Sequence, residues 1–194
     1  MEDKNLAKLK IDKEFLKELE KKEEEALKSG KISLMYDVLD TLLALDMEAD
    51  RIDRLYSKIL ETAFDALAEY LTSFRHFDLS KEEELYTVRA IYEHALERYD
   101  EGDFKGAKEL FLILSLVTDD EDFKKAMLLH TAAAAASVDL NAFLQKFVDH
   151  SKLDENSFFF TVFTEEAEDF MEKNRDAIEK ELENLKKLAS GEGR

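Results

Sequence analysis

Apolar residues recur at steps of three and four along almost the whole chain, a spacing that predicts α-helices. A first, densely charged helix spans Phe15 to Leu27, with Leu16, Leu19 and Leu27 as its apolar points. It stops at Ser29-Gly30, where glycine can take the left-handed conformation that ends a helix. A second helix is expected from Leu34 to Leu45, then an acidic joint at Asp46–Asp50, then a longer helix carrying Ile52, Leu55, Ile59, Leu60, Ala63, Leu67 and Leu71. After a break at Phe74–Ser80, Ser80 reads as the N-cap of a helix running Glu84 to Tyr99. Further helices follow at Phe104–Val117, Phe123–Ser137, Leu140–Asp149 and Thr164–Leu188, before a frayed end at Ser190–Arg194. No stretch alternates apolar and polar over strand length, Ser157 to Thr164 coming nearest. The expected fold class is all-α, with antiparallel helix pairs stacked as a short solenoid or bundle and a capping helix at the C-terminus.

An internal repeat sharpens this expectation. The segment from Gly30 lies on the segment from Gly102 without a gap, at an offset of 72 residues. Ile32 then matches Phe104, Met35 matches Ala107, Leu39 matches Phe111 and Leu42 matches Leu114, and an acidic break closes both copies. Two amphipathic helices can also agree this far by chance. In the second copy Ile91, Ala95 and Tyr99 step by four, and Gly102-Asp103-Phe104, Ala107 and Phe111 follow. Small residues at such steps let antiparallel helices approach, while the aromatics fill the space between them.

The stretch 88–122 resembles a tetratricopeptide repeat on these residues. His94 stands where that family usually has an aliphatic residue, and Asp119 replaces its closing proline. Within the family, Ile91-Tyr92, Ala95, Tyr99, Gly102, Ala107, Phe111 and Leu114–Leu116 look like the first repeat of class II type III secretion chaperones. Those are small, acidic, cytoplasmic helical proteins that hold hydrophobic translocator subunits before export. The resemblance covers some 30 residues; the charged N-terminal region and the C-terminal third depart from it. It implies a groove lined by the first helix of each unit, into which Arg89, Tyr92, Leu96 and Tyr99 would project, followed by Phe123, Ala126, His130 and Ala133. Such a groove suits an extended peptide or a partner helix. The alternative is that these side chains pack against the chain's own N- or C-terminal helices.

The aromatic segment Ser157–Thr164, with Phe158, Phe159, Phe160, Val162 and Phe163, is a second feature with two readings. Exposed, it would be a docking or dimerisation surface; buried, it is a plug between helices, the simpler expectation. The last helix puts Ala167, Phe170, Met171, Ile178, Leu182 and Leu185 on one stripe, suited to cap an open helical array or to pair as a coiled coil.

Composition then narrows the function. With 46 acidic against 28 basic residues the net charge is -18, unsuited to binding a phosphate backbone. The excess is uneven: residues 1–30 hold 9 acids and 8 bases, residues 76–150 hold 16 and 8, so the repeat-like part carries the negative field. Cysteine is absent, which removes disulfides, thiolate catalysis and cysteine-bound metals. Proline is absent too, leaving few forced breaks. No apolar run reaches a membrane span, and the start lacks the pattern of a secretory signal, so the cytoplasm is the expected location. None of His76, His94, His130 and His150 follows a glutamate by three, and no zinc, phosphate-loop or nucleophile-elbow motif occurs. Asp119–Asp122 lacks the spacing of a calcium loop and reads as helix-capping acids. The sequence therefore predicts a charged helix at 1–30, a repeat-like core at 31–150 and an aromatic segment plus amphipathic helix at 151–194. It predicts no enzyme, no cofactor and no metal. The expected function is a chaperone or adaptor holding a partner protein or peptide, with an exported hydrophobic protein as one candidate. A structural subunit of a larger assembly is the alternative, and a homodimer stays open.

Overall fold

The computed structural model describes residues 7–154 and 156–190, with side chains placed up to residue 185. The expected frayed end at 191–194 and the start of the charged N-terminal segment lie outside the described residues. The fold is all-α. The helices are α1 (Lys13–Ser29), α2 (Ile32–Ala44), α3 (Ala49–Ser73), α4 (Glu82–Asp100), α5 (Phe104–Leu116), α6 (Glu121–Ala135), α7 (Leu140–Phe147), α8 (Glu165–Lys173) and α9 (Arg175–Ser190). Among the described residues there is no strand, only two isolated bridges, Phe77 with Thr118 and Val148 with Phe163.

Local chemistry sets most of the helix ends. Asp12, Asp103, Asp120, Asp139 and Thr164 each cap a helix by accepting from a backbone N–H two or three residues on. Gly30 and Gly102 carry positive φ, 68° and 82°, closing the turns that reverse the chain into α2 and α5. The 72-residue offset survives into the structure: α2 and α5 are both 13 residues long and share their register. Met35, Leu39 and Leu42 are buried, as are Ala107, Phe111 and Leu114, while Phe104 is half-buried against the core.

Most helix ends fall within two residues of the sequence expectation, and three differences have a physical reason. Ser80 does not cap α4; its hydroxyl donates to Asp78 Oδ1 at 2.6 Å, and α4 starts two residues earlier than expected behind Lys81. The acidic joint after α2 is shorter than expected because α3 already begins at Ala49. The C-terminal helix is two helices, interrupted at Asn174, whose side-chain amide donates to the Phe170 carbonyl at 2.8 Å and so competes with regular backbone pairing.

Consecutive helices pack on one another, and one apolar cluster runs from Leu19 through to Ala167. The tightest pairing, α5 with α6, follows from the small residues of α6: Ala126, Ala132, Ala133 and Ala134 are all buried. α8 and α9 lie against α6, where Ala167 and Ile178 are buried, as expected of a capping element.

Candidate functional site: the filled face of α4 and α6

The eight residues assigned to a partner groove lie on the face that α4 and α6 share with the chain that follows α7. None of them stands open. Tyr92, Ala126, His130 and Ala133 are 0 % exposed, Tyr99 1 %, Phe123 2 % and Arg89 9 %, and Leu96 is half-buried against the core. Of the two readings of this face, packing within the chain is the one observed, although the cover is the aromatic segment rather than a terminal helix: it lies over Arg89, Tyr92, Phe123 and His130, while Phe104, Phe111 and Phe143 enclose Tyr99.

That segment forms a finger. Asp149 N–H donates to the Val162 carbonyl at 3.0 Å and Thr164 N–H to the Phe147 carbonyl at 2.9 Å, so residues 147–149 and 162–164 form its root. Its tip reaches across α6 to α4. Phe159, 8 % exposed, packs edge-on to Tyr92 at 5.3 Å and to Phe123 at 4.9 Å between ring centres. Phe158 sits 4.3 Å from the Arg89 guanidinium and 5.4 Å from the Tyr86 ring. Phe163 approaches His130 and Phe143. The plug reading of this segment is the one observed.

A chain of hydrogen bonds ties the tip to both helices. Phe160 N–H donates to Tyr92 Oη at 3.2 Å, and Tyr92 Oη lies 3.1 Å from His130 Nε2. His130 Nδ1 lies 2.8 Å from the Ala126 carbonyl, which can only accept, so Nδ1 carries the proton and Nε2 accepts from the tyrosine. Around the imidazole stand Tyr92, Phe111, Phe143 and Phe163, and among the described residues no charged side chain perturbs it. Burial accordingly pulls the His130 pKa down from 6.5 to about 4, against the opposing effect of the Ala126 hydrogen bond. Burial likewise raises the Tyr92 hydroxyl above its ordinary value. Tyr99 donates to the Val138 carbonyl at 2.6 Å, so it anchors the turn into α7.

Arg89 joins the finger to the N-terminal half. Its two terminal nitrogens donate to both oxygens of Asp40 at 3.1 and 3.0 Å, and Nε donates to Glu93 at 2.7 Å. Its guanidinium also lies over the Tyr36 ring at 3.9 Å, and Tyr36 Oη donates to Glu93 at 2.7 Å. Burial alone would lower the arginine's pKa, but these two carboxylates hold it above the ordinary value. Beyond Arg89 opens a cleft of about 330 Å³ lined by Leu39, Leu43, Ile52, Tyr56 and the carboxylates of Asp40, Asp53 and Glu93. Sequence reasoning missed Tyr36, Asp40, Tyr56 and Glu93. Their only signal was their place on the apolar or adjoining face of α2, α3 and α4, which many core residues share.

Among the described residues no group of three or more histidines or carboxylates is placed to hold a metal ion. Nor is any helix among them long and apolar enough to cross a membrane. Comparisons with protein-family models, with curated proteins and with solved structures return no match to this chain.

Proposed function

We propose that the chain is a non-catalytic protein-binding module, a cytoplasmic chaperone or adaptor that holds an extended segment of a partner against the face of α4 and α6. The observation that carries this reading is the finger: the face accepts a non-helical aromatic segment, in cis, with apolar seats for its rings and a hydroxyl for its backbone. Tetratricopeptide-like spacing around Tyr99, Gly102, Ala107 and Phe111 supports the same reading, as does the shared register of α2 and α5. A secretion-type chaperone, with an exported hydrophobic protein as client, is its sharpest form. The acidic field favours partners with basic character.

The test selects peptides from a random display library on the full chain and re-measures them on Leu43→Lys. Leu43 is 53 % exposed at the edge of the cleft that Arg89 and Glu93 of α4 also line, so a partner running along α4 past Arg89 meets it while its replacement leaves the core intact. Enriched peptides should bind at least about 10-fold more weakly to this variant and equally to Leu71→Lys, an exposed position on α3. Enrichment of nothing, or of peptides indifferent to Leu43, refutes the proposal.

A further inference from the structure

The finger differs from the core in three respects. Its tip donates a single hydrogen bond to the helices beneath it, from Phe160 N–H to Tyr92. Apart from Phe159, its aromatic and apolar residues are only partly buried, Phe158, Phe160, Val162 and Phe163 among them. An open cleft of about 300 Å³ adjoins it between α6, α8 and Thr161–Phe163, and a second of about 330 Å³ opens on the far side of Arg89, the residue that Phe158 covers. Helices α4, α5 and α6 pack on each other without it.

We infer that the seat under the finger is the docking site for an extended partner segment in which a lysine or arginine precedes two adjacent bulky aromatics, the finger being its resident substitute. This deepens the protein-binding proposal and rests on it. The first aromatic would take the place of Phe158 against Arg89 and Tyr86; the second would take the place of Phe159 between Tyr92 and Phe123. The following N–H goes to Tyr92 Oη, which demands an extended chain, because a helix interior ties up its own N–H groups. Continuing backwards from Phe158, the partner enters the cleft past Arg89. There Asp40 and Glu93 are already paired to the arginine, whereas Asp53 is exposed among Leu39, Leu43 and Ile52. A cation reaching Asp53 on an aliphatic stem fits this mixture. The finger cannot make that contact: it turns back at Ser157, whose hydroxyl donates to the Phe159 carbonyl at 2.8 Å, and Asn156-Ser157 before its aromatics carry no charge. A partner thus has one interaction with which to displace it. While the finger is seated, the partner's apparent affinity is reduced by the fraction of open molecules.

The probe is a labelled synthetic peptide, Lys-Leu-Lys followed by the sequence of residues 157–164, measured by fluorescence anisotropy on the full chain. It should bind Phe158→Ser/Phe159→Ser at least about 10-fold more tightly than the unaltered chain. A Glu-Leu-Glu version should bind about 10-fold more weakly than the lysine form, and a scrambled version not measurably. Should the double variant fail to fold, hydrogen exchange on the unaltered chain decides: saturating lysine peptide should speed exchange of the Phe160 amide. Equal binding of the scrambled peptide, absence of binding, or an unchanged Phe160 amide overturns the inference. So does a dimer of the unaltered chain that the finger variant cannot form, since the occupant would then be a second copy. Library peptides sensitive to Leu43 but unrelated to this pattern would keep the protein-binding proposal and remove this one.

Discussion

His130 should make the stability of this protein depend on pH in a window where its carboxylates do not. The folded chain holds the imidazole neutral, with a pKa of about 4 against 6.5 in an open chain, because burial among aromatic rings offers the charged form no counter-ion. The folded pKa is depressed, so the unfolded chain binds more protons between these two values, and stability falls as pH falls through the window. The full difference is worth about 3 kcal/mol, of which about 2 kcal/mol is lost between roughly pH 7 and pH 5. Asp78, Asp103, Asp149 and Glu84 have lowered pKa values, so their contributions are lost at lower pH. Relief of acidic self-repulsion works in the opposite direction on acidification. Both effects cancel in a comparison with His130→Gln, whose amide oxygen can still accept from Tyr92 and does not titrate. Urea unfolding followed by circular dichroism should show the native chain losing about 2 kcal/mol relative to this variant across that window. A difference constant to within about 0.5 kcal/mol would mean that the imidazole is solvated or charge-paired, and would refute the buried relay.

Three further outcomes follow from the packing. Tyr92→Ala with Tyr99→Ala should abolish cooperative thermal unfolding, because both rings are fully buried and each truncation costs about 3–5 kcal/mol; a folded double variant would show that the rings are not core. Glu83→Ala should lower stability by about 1–2 kcal/mol in a urea titration, since its carboxylate accepts from Ile32 N–H at 2.9 Å and from Ser33 at the uncapped start of α2, while exposed Glu82→Ala should change little. Phe74→Gly should raise stability by about 1 kcal/mol in the same assay, because Phe74 holds a left-handed φ of 53° and is 91 % exposed; a loss instead would show that the ring packs.

Much of the fold is written locally. Helical spacing, the capping aspartates and the two turn glycines placed α1, α2, α5, α6 and α7 within a few residues, and the repeat offset even set the matching register of α2 and α5. The groove floor was legible for the same reason: Arg89, Tyr92, Leu96 and Tyr99 lie on one side of one helix, as do Phe123, Ala126 and His130. That the aromatic segment would be what covers them was not. The finger's aromatics have the composition of a plug and of a docking patch alike, and only its root at Phe147–Asp149 directs it back across α6.

The sequence alone therefore determined which segments are helical, where most of them begin and that their apolar faces must be buried, because caps, turns and three- and four-residue steps act within a turn or two of backbone. Tertiary structure decided the rest through contacts between distant residues: Glu83 capping α2, Arg89 pairing with Asp40, Phe160 donating to Tyr92. These pairs are separated by about 50 to 70 residues and leave no periodic imprint on the sequence, since any of the many carboxylates or phenylalanines could have served until the helices packed.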